Sequence, residues 1–487
     1  MSGWLQLLGP PLSVAGTGCL VLAGDTLWPG RGRTWGWVTA ALLLAVLAGS
    51  FQVHPVGVAP HGVYQAGPWA LFLQRVFLVA ALLAVLGAMD WLEVNAGGRQ
   101  AEYLALVLFS TSGMMLIPGA RDWVVLVMSF ELMGIPLYAL SAWAKNDGPP
   151  ERPKLGAEAG LKLFVTGTAS SALTFFGLAL VVGLGGTTRL DGLGAGTVPP
   201  LAVAGMLLIV AGFSFKVGAV PFHFWIADTY QGAPTPFVAF LSVAPKLGGI
   251  AALTVVLLSG WRAQAEVWGP GLVVLSAASM LVGNFFALGQ TDTRRLLGFS
   301  GIAQMGYVLL ALAARTRFGV AMALFFMAAY TFTNLGAFLV IHAGAESSGG
   351  HGLARLAGLS RRAPALGGAL LIFLLSLAGI PFVAGFWAKL FVLMAAYRAG
   401  LRGLVVLGVV LAVVGLFYYL TVARSTFMAE SAAGSARVEV RWPMGLAIAV
   451  CLIAVVGLGL WPGPLLESAE RAAADLMGAA NPIALAP

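Results

Sequence analysis

Along its whole length the chain alternates apolar stretches with short polar connections. Most of the stretches are about 20 residues long, the length at which an α-helix crosses the hydrocarbon core of a bilayer, so the pattern predicts an all-α membrane protein of about 14 transmembrane helices. The expected spans are residues 10–29, 35–52, 69–89, 102–118, 122–143, 157–184, 201–224, 237–259, 267–289, 296–313, 318–343, 366–398, 403–424 and 443–463.

Two of these spans carry a similar interruption: Gly218-Ala-Val-Pro-Phe222 in the seventh and Ala378-Gly-Ile-Pro-Phe382 in the twelfth. Proline removes a backbone donor and glycine loosens the helix, so helices 7 and 12 are expected to be broken. The two signals lie an odd number of helices apart. The second copy therefore enters the membrane from the opposite side, which predicts inverted repeats over helices 4–8 and 9–13. The resulting organisation is three N-terminal helices in 1–101, a first repeat in 102–259, a second in 260–424, and a last helix with its tail in 425–487.

Composition agrees: 59% of residues are hydrophobic and 9% charged, with a mean hydropathy of +0.92, whereas soluble domains run near about 25% charged. The net charge of +8 adds little, because the basic residues are scattered singly between apolar runs. They read as topogenic loop charges rather than a nucleic-acid surface, and most fall on the cytoplasmic side if both termini are outside. The connection Trp225 to Pro236 has no basic residue. Met1 to Leu8 lacks the basic start of a cleavable signal, so the first apolar segment is expected to stay as an anchor.

Cys19 and Cys451 both lie in apolar spans, which argues against a disulfide, a cluster or structural zinc. The five histidines (His54, His61, His223, His342 and His351) show no ligand spacing, and Gly183 to Gly196 lacks a nucleotide-binding pattern. Neither a metal, a cofactor nor a soluble catalytic domain is expected.

The charges inside the spans carry the chemistry. The chain has 21 arginines and six lysines. Arginine lies almost wholly in loops or at span ends, yet Lys162, Lys216, Lys246 and Lys389 fall inside apolar spans, at a cost of roughly 2.5–3.5 kcal/mol each on insertion scales. Arginine stays protonated under nearly all conditions, whereas a desolvated lysine can release and recapture a proton. The choice of lysine at these positions points to proton transfer. Glu131 lies deep in the fifth span and is the candidate counter-charge: its distance from a lysine would govern the protonation of both. His223, beside the first break, and His342 are the relay candidates among the polar residues. The others, among them Ser110, Thr166, Ser170, Asn284, Ser300, Gln304, Tyr307, Tyr330, Thr333 and Asn334, are individually more often helix-packing groups.

Several motifs occur in an order that resembles the N subunit of the proton-pumping NADH:quinone oxidoreductase, respiratory complex I, one of the antiporter-like subunits. They include Leu108-Phe-Ser-Thr-Ser-Gly-Met-Met115, Phe130-Glu-Leu132, Glu158-Ala-Gly-Leu-Lys-Leu-Phe164, Phe215-Lys-Val-Gly-Ala-Val-Pro-Phe-His223 and Phe240-Leu-Ser-Val-Ala-Pro-Lys246. Arg294-Arg-Leu-Leu-Gly-Phe-Ser300, Ile302-Ala-Gln-Met-Gly-Tyr307 and Ser376-Leu-Ala-Gly-Ile-Pro381 continue the series. The resemblance implies a proton route through the subunit, driven by quinone reduction elsewhere in the complex, with no redox centre of its own. It also implies M-type and K-type neighbours in a bacterial inner membrane. By position it makes Glu131 and Lys216 the coupling pair, Lys246 the central relay, Lys389 the charged group of the second broken helix, and Lys162 the lysine of helix six. In the sister M-type subunit the position of Lys389 is usually acidic.

Two departures touch local geometry. Where the family usually reads Pro-Asp-Val-Tyr-Glu-Gly-Ala-Pro, this chain has Ala227-Asp-Thr-Tyr-Gln-Gly-Ala-Pro234, and Phe382 replaces a second proline. A Mrp-type cation/proton antiporter subunit is the rival reading, because it shares the repeats and much of the charge pattern. A solute symporter would bind at exposed backbone and small polar groups rather than a row of lysines.

Overall fold

A computed structural model of the chain describes residues 2–52, 57–146, 151–193, 198–348, 352–430 and 438–478. His54 and His351 lie outside these. Among the described residues, 13 helices are long and apolar enough to cross a membrane. The twelfth expected span, 366–398, is covered instead by two shorter helices, so the order of spans is the expected one.

The N-terminal helices are α1 (Ser2–Leu27), α2 (Gly32–Ser50) and α3 (Pro68–Asn95). Between the last two, β1 (Gly57–Val58) and β2 (Gln65–Ala66) pair antiparallel. Then follow α4 (Gln100–Leu116), α5 (Trp123–Ser141), α6 (Glu151–Gly185) and α7 (Pro200–Val217). The eighth span is assembled from α9 (Thr235–Leu241) and α10 (Ala244–Val255), preceded by the short α8 (Trp225–Gly232). The second half comprises α11 (Ala265–Leu288), α12 (Thr293–Ala313), α13 (Arg317–Ser348), the single turn α14 (Leu359–Arg362), α15 (Pro364–Ala378), α16 (Ala384–Arg398) and α17 (Arg402–Met428). The chain continues through α18 (Trp442–Leu460) and α19 (Gly463–Met477).

The segment from α9 through α10, together with α12 and most of α13, is surrounded by protein. The outer helices present large apolar side chains outward: Phe164 and Phe176 on α6, Phe285 on α11, Val413 and Phe417 on α17, and Ile453 on α18. Lipid, not water, suits that surface. Inner helices approach closely through glycine. A Cβ at Gly113 would lie 2.4 Å from the backbone nitrogen of Met133, and one at Gly283 would lie 2.4 Å from that of Ala303. α4 thus packs on α5 as α11 packs on α12. Asp122 caps α5 by accepting from Val124 N–H at 2.8 Å, and Asp292 caps α12 by accepting from Arg294 N–H at 2.8 Å. The interval from Gly113 to Asp122 to Met133 is repeated from Gly283 to Asp292 to Ala303.

The two anticipated breaks share one geometry. α7 ends at Gly218 (φ 76°) and α15 at Gly379 (φ 87°), a left-handed conformation that glycine adopts without a Cβ penalty. The amides of Gly218 and Ala219 both donate to Ser214 O, and those of Gly379 and Ile380 both donate to Leu375 O, the Schellman closure of a helix end. Phe382 has φ 73°, which a proline ring, fixed near about −65°, cannot adopt. The substitution therefore gives the second break its own backbone path.

A third break was not expected. The eighth span is interrupted at Val243, where Pro245 removes the amide that would continue the ladder, and α10 closes in a wider π turn over Val256–Gly260. The expected C-terminal tail also forms α19, whose Ala469, Ala472, Ala473 and Leu476 are buried. Asp475 on this helix accepts from Trp69 N–H at 3.1 Å, tying it to the start of α3.

Candidate functional site

Lys216 occupies the last turn of α7, directly before the first break, and is 5% exposed. Its Nζ donates to Tyr138 OH on α5 at 3.2 Å and lies 5.7 Å from the ring centroids of both Phe130 and Phe215. Glu131 lies two turns before Tyr138 on α5 and accepts from Ser171 Oγ of α6 at 2.6 Å. Ser171 also neighbours the Tyr138 hydroxyl. The coupling pair expected from the sequence is therefore not a direct ion pair; two hydroxyls intervene.

Lys246, in the first turn of α10, is completely buried. Its Nζ has no hydrogen-bond partner among the described residues and lies 5.7 Å from the centroid of the Tyr230 ring. The break at Val243 places Lys246 at a helix start, with the Tyr230 ring and the Tyr330 hydroxyl near it. Asn334 Nδ2 donates to Ser242 Oγ at 2.7 Å, while Asn334 Oδ1 and both tyrosine hydroxyls lack a hydrogen-bond partner. Buried polar atoms of this kind are normally paired with protein or water.

Lys389, on α16, is 7% exposed. Its Nζ donates at 3.0 Å to the carbonyl of Ala378, a group that the second break releases from its helix. It also lies 5.2 Å from the centroid of Tyr307. A small cavity beside it is lined by Gln304, Tyr330, Thr333, Ser376 and Lys389 among others. Gln304 Nε2 donates to Leu377 O at 2.9 Å and to Tyr419 OH at 3.0 Å, and Ser300 Oγ bonds Tyr419 OH at 2.5 Å. Ser376 Oγ accepts from Gly385 N–H at 3.0 Å, joining the two halves of the broken helix.

Lys162 stands apart from these three. Its side chain is 41% exposed and is held by Glu158 at 2.6 Å and Asp228 at 2.5 Å. Asp228, on α8, also pairs with Arg295 of α12 at 2.5 Å. Burial alone would raise the Asp228 carboxyl, but its bonds to Lys162 and Arg295 hold it below the usual carboxylate range. Gln231, where the family's acid is missing, accepts from Arg295 through Oε1 at 3.0 Å and from Arg294 through its carbonyl. His223 lies in the turn between α7 and α8, half-buried, stacked on Phe224 at 5.0 Å, with Nδ1 unpaired. His342 is buried on α13. Cys19 and Cys451 are both free thiols.

The family model described as NADH:quinone oxidoreductase/Mrp antiporter, TM, matches residues 120–415. The NADH-quinone oxidoreductase subunit N of Paramagnetospirillum magneticum is 36% identical over 458 residues, covering 91% of this chain and 92% of that protein. The chain belongs to the subunit N family of NADH-quinone oxidoreductase. A chain of respiratory complex I from Thermus thermophilus superposes with a TM-score of 0.78 at 31% identity, covering 94% of this chain and 98% of that one. A chain of the Mrp complex from a Dietzia species gives 0.87 at 22% identity, covering 99% and 98%, a likeness of fold alone. Shape does not separate the two branches of the family, whereas sequence identity over the whole chain favours the oxidoreductase over the Mrp-type reading.

Within this N-type subunit, sequence reasoning missed Tyr138, Ser171 and Tyr419. The spacing of Tyr138 from Glu131, seven residues on one helix, puts both on the same face and could have flagged it. Ser171 and Tyr419 come into play only through helices far away in the chain.

Proposed function

We propose that this subunit carries protons across a bacterial inner membrane along the row Lys216, Lys246 and Lys389, with Glu131 as the group that sets the state of Lys216. The work is supplied by quinone reduction elsewhere in the complex, and M-type and K-type subunits are its membrane neighbours. The subunit itself needs no redox centre, because the row moves protons and not electrons.

One observation carries this reading: Lys246 is completely buried, with an Nζ that has no hydrogen-bond partner among the described residues. A structural lysine would be expected to snorkel or to pair, whereas an amine that takes and releases a proton needs a site compatible with its neutral form. The organisation in inverted repeats over helices 4–8 and 9–13 is supported by the matching intervals around Asp122 and Asp292 and by the matching breaks at Gly218 and Gly379. His223 flanks the row at the first break. We assign Lys162 to the ion-pair cluster with Asp228, at the edge of the row rather than in it.

The test is proton uptake into vesicles carrying the whole purified complex, driven by NADH and quinone, with Lys246→Met beside the wild type. The reading requires Lys246→Met to lose proton transport while assembly is retained. Normal transport in that variant would overturn it.

A further inference from the structure

The two breaks hold their freed backbone amides in different ways. At the second, Ser376 Oγ accepts from the Gly385 amide at 3.0 Å, so the acceptor belongs to the broken helix itself. At the first, the closure of α7 uses the amides of Gly218 and Ala219, and Pro221 has no amide to give. The amide between them, that of Val220, donates at 3.0 Å to Ser279 Oγ. Ser279 is completely buried and belongs to α11, in the second half of the chain.

We propose that Ser279 is a positioning residue: its bond to the Val220 amide fixes the path of the first break from the second half of the chain, and so sets where the end of α7 holds Lys216. The inference rests on the proton-transport reading above. Lys216 lies in the last turn of α7, the turn that the break closes. Its Nζ meets Tyr138 OH at 3.2 Å, the long end of the range for such a bond, so a displacement of roughly 0.4 Å in the end of α7 makes or breaks it. Packing does little to hold the turn beyond Val220, where Phe222 and His223 are half-buried and Phe224 is exposed. Within the first half, the Trp225 indole donates to Phe215 O at 3.1 Å, which ties α8 to α7. Ser279 anchors the turn between them.

The support is firm. Ser276 Oγ of α11 donates to Gly306 O of α12 at 2.8 Å, and a Cβ at Gly306 would lie 2.8 Å from the backbone nitrogen of Met280, so α11 is pressed against α12 at residues on either side of Ser279. An amide left without an acceptor inside the protein costs more than the net worth of the bond it lost. With Ser279 shortened to alanine, the turn must therefore shift until the Val220 amide finds another partner. Ser276 supplies the control: it is a serine of the same helix, equally buried, whose bond goes to α12 and not to the break.

The experiment measures protons moved per quinone reduced in vesicles containing the complete complex, and amide hydrogen exchange on the same preparations, for Ser279→Ala, Ser279→Thr, Ser276→Ala and Lys246→Met. Ser279→Ala is expected to lower transport by about threefold or more and to speed exchange over residues 217–224 by a similar factor, leaving residues 379–385 unchanged. Ser276→Ala is expected to leave both readings at the wild-type level. Ser279→Thr keeps the hydroxyl and should pump closer to the wild type than the alanine variant does. A packing role predicts the opposite order, because threonine adds a methyl group at a fully buried position. Equal effects of the two alanine variants, threonine no better than alanine, or unchanged exchange over 217–224 would overturn the proposal. Failure of Ser279→Ala to assemble would mark the bond as structural and overturn it as well. Normal transport in Lys246→Met would remove the underlying reading. Loss in Lys246→Met with normal transport in Ser279→Ala would remove only the role of Ser279.

Discussion

Lys216 reaches Glu131 through hydroxyls: its Nζ donates to Tyr138 OH at 3.2 Å, and Glu131 is held by Ser171 Oγ at 2.6 Å. A carboxylate in direct contact would fix the lysine in its charged form. With hydroxyls between them the two charges influence one another without being locked together. Tyr138→Phe should therefore lower proton transport several-fold while leaving assembly intact, and Lys154→Met, at an exposed position on α6, should do neither. Transport in Tyr138→Phe equal to that of Lys154→Met would exclude the tyrosine from the coupling.

Glu131→Gln keeps the shape and the acceptor for Ser171 but loses the charge. It should impair transport more than Glu131→Asp, which keeps the charge on a shorter stem. Turnover and proton uptake measured together distinguish these outcomes. A glutamine variant that pumps normally would reduce Glu131 to a packing role.

At Lys389 the question is whether charge alone suffices. Its Nζ caps the carbonyl of Ala378 at the second break, a contact that arginine could also make. Arginine effectively cannot deprotonate. A relay role predicts that Lys389→Arg and Lys389→Met both lose transport, and a capping role predicts that only methionine does. Proton translocation in complexes assembled to wild-type levels is the deciding measurement, and an arginine variant with most of the normal activity would refute the relay.

Asp228 joins α6, α8 and α12 through Lys162 and Arg295, and its carboxyl is held below the ordinary range. A carboxylate lowered in this way stabilises the fold above its unfolded value, and the effect is lost only as the pH falls through its folded value. Asp228→Asn should cost about 1 kcal/mol, the scale of a partly exposed pair. The difference should stay flat from about pH 8 to about pH 5 and shrink only below about pH 4. Thermal unfolding of the complex across that range checks it, and a difference already fading at neutral pH would contradict the assignment.

The glycine notches give a stability prediction independent of proton chemistry. A methyl at Gly113 or Gly283 meets the backbone nitrogens of Met133 and Ala303 at 2.4 Å, where no side chain can swing aside. Each alanine variant should lose roughly 1–3 kcal/mol by overpacking, visible as reduced assembly and a lower Tm. Unchanged stability in both would mean that the helix pairs tolerate separation.

Hydropathy alone determined the spans, because a helix in lipid must satisfy every backbone group internally and so declares itself as a long apolar run. The breaks at Gly218 and Gly379 were legible for a related reason: glycine and proline act on the local backbone, so their effect is written beside them. The buried lysines stood out because a charge is costly among apolar neighbours in the same segment. The tertiary structure alone decided which groups meet. Tyr138 bonds Lys216 across α5 and α7, and Tyr419 of α17 meets Ser300 and Gln304 of α12, all through packing of segments far apart in sequence. The same distinction moved Lys162 from the row of buried lysines to its edge. Its span is apolar, but only the folded chain brings Asp228 to it, and a charge with a partner at the protein surface carries none of the cost that first marked it.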